Sequence, residues 1–526
     1  MTATAETTLA PWLRWVLPSF SDLFFLVLVV MLGFSPMHGA LLRDADIGWH
    51  IRTGEIILAT RAVPRTDPFS YTRQGAPWCA WEWLYDVLIA VIHHLSGMNG
   101  VVFFTAAIIA TTFALLFRFV LRRSHNLLLA GSLTLLAVAA AQVHMLARPH
   151  VISWLFALLW IEILCRFQEG EPFALVWLPL LMVVWVNLHG GFVLGLILLG
   201  IFAVGAFFNT LAAPQKNDGR KIALLGATLL LCLLATLLTP YGYELPVHVY
   251  RYLSDSFLMN SIDEFASPNF HLAVYGYFEL FILLGMVGVA LARQRVTAAG
   301  WLTLFFSIYA GLYAVRNIPI SAILMSVILG PPLALAVSPP SGTAPRWLAS
   351  LLSTGQGISN SMSRLEVQFR GHGLPWIVLA GSLLLLLNGG RLSSTQLVAT
   401  RFDEKIFPVK AVDFVQQREI HDHLFSTDAW SGYLIYRLYP RIAVYFDDRH
   451  DFYGRAFIKQ YAQAILGTRE WREPLDLYQV KWALLPADSP LSSLLRESRD
   501  WHVDYEDSLA VVFSRCRLAC GKLREE

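Results

Sequence analysis

Side chains able to do chemistry are confined to a few places in this chain. The first is Arg43-Asp44-Ala45-Asp46-Ile47-Gly48-Trp49-His50, where two carboxylates stand two residues apart soon after an apolar run. A carboxylate half withdrawn from water can accept a hydroxyl proton there, or hold a divalent cation such as Mg or Mn. A solvated turn would present the same residues with no such role. Arg148-Pro149-His150 makes a cationic tip between two apolar runs, and Arg316-Asn317 makes another. Between them in sequence lies Asn187-Leu188-His189-Gly190-Gly191, whose glycines let a ligand come close to the backbone. Taken singly, each tip reads as a residue that snorkels to the interface or lines a cavity. Gathered on one side with the acidic pair, they make an anion site beside a base. Arg316, Arg148 and His150 then suit a phosphate, and His50, His189 and Asn187 suit hydroxyl groups.

Two further stretches are polar. After Thr239-Pro240-Tyr241-Gly242 come Glu244, His248, Arg251, Asp263, Glu264 and His271, interleaved with Tyr243, Tyr250 and Tyr252. Aromatic rings beside carboxylates suit sugars or lipid headgroups, with Glu244 and Glu264 accepting from hydroxyls. Anchoring at a membrane interface explains the tyrosines equally well. Nearer the C-terminus, Phe446-Asp447-Asp448-Arg449-His450-Asp451 can bind a cation, although a strand end with a solvated turn is the simpler account.

The chain that must position these groups is 526 residues long, 56% hydrophobic and only 15% charged, with a mean hydropathy of +0.53. Soluble domains carry roughly a quarter charged residues, which excludes an ordinary globular protein. Forty Lys and Arg against 38 Asp and Glu leave a net charge of +2, too little for a whole-protein field that attracts nucleic acid. The 17 Trp, 18 Tyr and 33 Phe suit a protein with many lipid–water boundaries. Five cysteines show neither metal-ligand spacing nor a disulfide framework, though Cys516 and Cys520 can pair if the tail lies outside the cytoplasm. The composition is that of an α-helical polytopic membrane protein.

A membrane-spanning helix needs about 20 apolar residues. The first candidate, Phe20 to Phe34, follows Arg14 and precedes no small-residue cleavage site, so it reads as an uncleaved anchor with its N-terminus inside. A first outer loop, residues 38–98, follows. Within it, Leu84–Leu95 is too short to span and reads as a juxtamembrane helix. Val101–Val120 then crosses inward, ending at Arg122 and Arg123. Further spans are expected near 127–146, 151–166, 173–188, 191–211, 221–238, 273–292, 298–315, 318–336 and 374–390, about eleven crossings in all. Arg166, Lys216, Arg220, Lys221, Arg293, Arg295, Arg346, Arg364 and Arg370 then share the inner side with Arg122 and Arg123, and the polar tips share the other. The five arginines of the first loop weigh little, because long loops translocate regardless of charge.

Ser338–Gly373 is Ser/Gly/Pro-rich and basic, an inner loop containing an amphipathic piece. Residues 1–390 thus form the membrane domain, and residues 391–526 a soluble extracytoplasmic domain of α/β or α+β type. Ala443–Phe446 and Leu509–Phe513 read as strands there, Ala411–Gln417 and Phe457–Leu466 as helices. No internal repeat stands out, which argues against an inverted-repeat transporter.

This order of parts resembles the GT-C glycosyltransferases, integral-membrane enzymes that use polyprenyl-phosphate-linked sugars. The phrases Asp46-Ile47-Gly48-Trp49-His50-Ile51-Arg52-Thr53-Gly54-Glu55, Pro64-Arg65-Thr66-Asp67-Pro68-Phe69-Ser70, Glu82-Trp83-Leu84 and Asn187-Leu188-His189-Gly190-Gly191 are similar to a group of bacterial GT-C-like membrane proteins. Trp430-Ser431-Gly432-Tyr433-Leu434 with Asp447-Asp448-Arg449 resembles their outer domain, so the likeness covers nearly the whole chain. It implies a protein of the bacterial cytoplasmic membrane that moves a hexose or pentose from a polyprenyl-phosphate-linked donor. The acceptor would be a glycan, lipid or protein on the outer face, and the transfer would invert the sugar. The first-loop acid of the family, acceptor-positioning group or base, falls on Asp46 or Asp44, and its late-span phosphate-contacting arginine on Arg316. Where the family commonly carries a second outer-loop acid, this chain has Arg148-Pro149-His150, a departure that speaks against metal dependence. A glycan ligase or a non-catalytic scaffold of the same shape is the alternative. A transporter is disfavoured by the missing repeats and the scarcity of charge at span centres.

Overall fold

Helix starts in the membrane domain follow from local capping. Ser19 and Asp22 exchange hydrogen bonds across the first turn of Phe20–Gly33, and the Asn126 side chain accepts from the Leu129 N–H to start Leu127–Ala141. These bonds satisfy amide hydrogens that a helix N-terminus leaves without partners. The computed structural model describes residues 10, 12–34, 36–291, 296–338, 345–369 and 372–516. Arg293, Arg295, Arg370 and Cys520, and with Cys520 the expected pairing to Cys516, lie outside the described residues.

Each apolar run singled out above is helical: Phe20–Gly33, Trp83–Ser124, Leu127–Ala141, His150–Gln168, Trp177–Leu188, Phe192–Ala212, Asp218–Ala235, Gly276–Leu291, Ala298–Tyr313, Ile318–Ala336 and Gly373–Leu387. Among the described residues, five stretches are long and apolar enough to cross a bilayer alone: Trp83–Ser124, Leu127–His144, His150–Gln168, Phe192–Ala212 and Val315–Ala336. Four more are apolar but shorter, and Arg346–Gln368 with Gly373–Leu387 makes a bent pair. Length alone therefore supports fewer crossings than the eleven apolar runs suggest. Trp83–Ser124 is broken at Gly97, whose φ of 60° lies in the left-handed region that glycine adopts without strain. The break separates the short helix of the first loop from the long one that follows.

The segment after Ser338 holds the helix Arg346–Gln368, which packs across the ends of two spans. Ser359 Oγ accepts from the Leu127 N–H at 2.7 Å, and Glu366 accepts from the Phe20 N–H at 2.6 Å. At the other end of the bundle sits the C-terminal domain. Its sheet runs Leu424–Ser426, Trp482–Pro486, Ala510–Arg515, Trp501–Glu506 in spatial order, the first pair parallel and the others antiparallel. The expected strand at Ala443–Phe446 is not one. Val444 makes only isolated bridges to Leu424 and Ser70, because its backbone is shared between the sheet edge and the first loop.

Two devices lock this domain to the first loop. Where the helix Ile47–Thr60 crosses Asp428–Leu438, a Cβ on Gly48 would lie 2.1 Å from the Gly432 carbonyl oxygen, so glycine is required for the contact. Beside it, the buried Arg449 donates to Asp447 and to Asp67, each at 2.7 Å, with its guanidinium 4.6 Å from the Trp78 ring centre. A buried cation is tolerated because two carboxylates and an aromatic face replace its water.

Candidate active site

Asp46 immediately precedes the helix Ile47–Thr60, and Asp44 makes the turn into it by accepting the Asp46 N–H at 2.9 Å. Arg148 reaches both acids from the loop before His150–Gln168. It donates to Asp44 at 3.0 Å and to Glu264 at 2.6 Å, and pairs with Asp46. Arg316, from the turn before Ile318–Ala336, meets Glu264 at a looser 3.9 Å and lies 4.6 Å from the Phe265 ring centre.

These groups border a cavity of about 430 Å³. Its charged lining includes Asp46, Glu82, Arg316 and Asp448. Ile197, Leu253, Tyr309 and Tyr313 also line it and are 40%, 47%, 66% and 49% exposed. The cavity therefore combines buried charged side chains with exposed, largely apolar ones.

Asp448, from the C-terminal domain, joins Asp44 and Asp46 so that one oxygen of each lies within 4.8 Å of the others. Burial pushes Asp44 up to about 6 and Asp448 up to about 7, and pushes Asp46 well above the carboxylate range, with the Arg148 charge opposing all three. Asp46 Oδ1 and Asp448 Oδ1 are buried without a hydrogen-bond partner. Three carboxylates, two of them with an oxygen that lacks a partner, are an all-oxygen donor set that fits Mg or Mn. Arg148 already neutralises two members of the set.

On the opposite wall, a Cβ on Gly54 would lie 2.0 Å from the Asp86 carbonyl oxygen. That close crossing brings His50 onto the helix beginning at Trp83. His50 Nδ1 lies 2.6 Å from Asp86 Oδ1, and its Nε2 lies 3.8 Å from Glu82. The other Glu82 oxygen faces His189 Nε2 at 3.5 Å. Burial pushes Glu82 up to about 8, pushes His189 down to about 3, and pushes His50 well below the histidine range.

Asp46, His50, Arg148, His150, His189 and Arg316 thus line the same cavity, with Asp44 next to Asp46. Three of the expected residues fall elsewhere. Asn187 has its amide fully engaged, accepting from Trp83 Nε1 at 2.7 Å and donating to the Val183 and Leu238 carbonyls. Glu244 pairs with Arg65 at 3.4 Å beside a second cavity of about 580 Å³. Glu264 stands behind the arginines, where Arg148 and Arg316 outweigh burial and hold it below its ordinary range. Its partnership changes the role expected of Arg148, whose charge is matched by three carboxylates and is not available to a phosphate. His150 lines the cavity with its Nε2 hydrogen given to the His144 carbonyl at 2.8 Å. Glu82 and Asp448 were not among the expected site residues, although Glu82-Trp83-Leu84 and Asp447-Asp448-Arg449 were phrases that carried the resemblance.

No protein-family model and no curated protein matches the chain. Solved structures do match its fold. The archaeal oligosaccharyltransferase AglB from Archaeoglobus fulgidus, in complex with an inhibitory peptide and a dolichol-phosphate, aligns with a TM-score of 0.56 and 12% identity, over 89% of this chain and 69% of that one. ArnT from Cupriavidus metallidurans, bound to undecaprenyl phosphate, aligns at 0.50 and 13% identity over 94% of this chain and 97% of that one. The chain shares the GT-C fold of these structures.

Proposed function

We propose that the protein transfers a sugar from a polyprenyl-phosphate-linked donor to a hydroxyl of a glycan, lipid or protein on the extracytoplasmic face, inverting the sugar. The observation that carries this reading is the mixed lining of the cavity. The exposed Ile197, Leu253, Tyr309 and Tyr313 are taken as an apolar portal for a prenyl chain, and the charged residues as the site of its phosphate and sugar. The solved neighbours lend weight, since one holds undecaprenyl phosphate and another a dolichol-phosphate.

In this reading Asp46 takes the proton from the acceptor hydroxyl as that oxygen attacks the anomeric carbon. Its raised proton affinity makes it a stronger base once ionised. Arg316, with its single loose carboxylate contact, holds the departing phosphate. A divalent cation would be held by Asp44, Asp46 and Asp448 and would supply positive charge there. The portal keeps bulk water from the reacting centre by filling with prenyl chain.

Binding of undecaprenyl phosphate to the purified protein, followed by tryptophan fluorescence, tests the reading. Arg316→Ala should weaken binding about 10- to 100-fold, as loss of a charged hydrogen bond of about 1.5–3 kcal/mol requires. Absence of binding by the wild type, or equal binding by folded Arg316→Ala, overturns it.

A further inference from the structure

Glu82 is held in an arrangement that Asp46 does not share. The Gly191 N–H donates to His189 Nδ1 at 3.0 Å, and the Ser153 hydroxyl, itself accepting from Trp185 Nε1, lies 2.7 Å from the same nitrogen. Nδ1 is thus the acceptor of that ring, and a neutral His189 carries its hydrogen on Nε2, which faces Glu82 Oε1 at 3.5 Å. On the other side, His50 Nδ1 lies 2.6 Å from Asp86 Oδ1 and its Nε2 faces Glu82 Oε2 at 3.8 Å. Burial keeps both rings neutral, and among the described residues no Lys or Arg pairs with Glu82. A buried carboxyl between neutral imidazoles and without a paired cation favours its protonated form.

The far end of this chain is sealed. Asp86 is fully buried and its Oδ2 has no hydrogen-bond partner, whereas His50 and Glu82 both line the cavity, Glu82 being the more exposed at 7% against 1%. Glu82 is therefore the member of the group best placed to hand a proton to a substrate.

We propose that Glu82, backed by His50 and Asp86 and oriented by His189, is the acid that protonates the departing lipid phosphate. The inference rests on the donor assigned under Proposed function. In the step, the acceptor oxygen bonds to the anomeric carbon and gives its proton to Asp46. The bond from that carbon to the phosphate oxygen breaks, its electron pair goes to the oxygen, and the Glu82 proton follows. Asp46 ends protonated and Glu82 ionised, and exchange with solvent restores both. Asp46, paired with the Arg148 guanidinium, and Glu82, between two neutral imidazoles, thereby take opposite parts in one displacement.

Burial, pushing Glu82 up to about 8, agrees with a neutral acid at physiological pH. The groups facing it are Arg148 and Arg316, which favour ionisation, and Asp46, Asp451, Asp86 and Tyr85, which oppose it, besides the two imidazoles.

The test uses the full chain in detergent and two readouts. Infrared difference titration should show a protonated-carboxyl band that disappears as pH rises through about 8, is missing from Glu82→Gln and shifts in His50→Asn. Glutamine keeps one donor and one acceptor toward the two imidazoles, so the variant should fold. Undecaprenyl phosphate serves as the binding probe: wild-type affinity should fall about tenfold through the same pH range as Glu82 acquires charge, and Glu82→Gln should bind without that fall. An unchanged carboxyl band in Glu82→Gln overturns the inference even if the lipid binds. A wild type that shows the band but does not bind the lipid overturns the donor assignment and with it the acid role. A Glu82→Gln protein that retains the full pH dependence of binding also overturns the acid role.

Discussion

Asp46→Asn separates catalysis from architecture at this site. The wild-type side chain is 3% exposed and paired with Arg148. After substitution Arg148 keeps Asp44 at 3.0 Å and Glu264 at 2.6 Å, so its charge stays compensated. The Asn oxygen can still accept from Arg148 and its amide can donate to Asp448, which lowers the carboxylate crowding of the cluster. Folding should therefore change little. What disappears is the ability to take a proton, and loss of a general base costs about 10²–10⁴ in rate, equivalent to about 3–5 kcal/mol of barrier. Asp44→Asn is the matched control, because Asn can accept the Asp46 N–H in the same turn and should slow transfer far less. Both variants can be assayed in proteoliposomes charged with undecaprenyl-phosphate-linked sugars, following release of undecaprenyl phosphate. An Asp46→Asn protein that binds the lipid normally and turns over at the wild-type rate refutes the base assignment. A slow Asp44→Asn beside a fast Asp46→Asn would move the role two residues upstream.

The clamp between first loop and C-terminal domain should be costly to break. Arg449→Met leaves Asp67 and Asp447 buried without their cation, a loss of about 3–5 kcal/mol, so its thermal midpoint should fall well below that of the exposed control Arg441→Met; equal midpoints would refute the clamp. The carboxylate cluster should bind Mn²⁺ detectably by electron paramagnetic resonance, with Asp448→Asn weakening it about tenfold or more; identical spectra with and without protein would show that Arg148 serves as the only cation there.

Patterning made the helices legible and left the count of crossings open. Every apolar run is a helix, since a continuous apolar stretch in this composition has few other ways to satisfy its backbone. Phe20–Gly33 and Ala298–Tyr313 show what hydropathy cannot decide, because their lengths fall short of a bilayer while their composition suits one. The strand expected at Ala443–Phe446 failed for a related reason. Its buried apolar run is real, with Val444, Tyr445 and Phe446 all buried, but the burial comes from packing and not from a ladder. At the site, Asp46, His50, His189 and Arg316 were readable because each stands at the polar end of an apolar run. The sequence allows Asp448 either a part in cation binding or a place in a solvated turn, and nothing local decides between them; only the fold reveals that Arg449 draws this turn onto Asp67 of the first loop. Asn187 failed in the opposite direction, because a polar side chain at a helix end serves helix packing as readily as it serves a ligand.

The placement of Asp447, Asp448 and Arg449 joins the two halves of the molecule into one functional unit. Arg449 and Asp447 form the clamp with Asp67, and the residue between them completes the carboxylate cluster with Asp44 and Asp46. Stability and chemistry are thus tied at adjacent positions. The energy that holds Arg449 between two acids also holds Asp448 against two others, where burial and mutual repulsion would otherwise drive it into solvent. A cluster this crowded would relax if either half moved, so the membrane domain alone cannot present it. The C-terminal domain is therefore part of the site's electrostatics, and a perturbation confined to the Asp67–Arg449 contact should reach the cavity through Asp448 before it reaches any helix of the bundle.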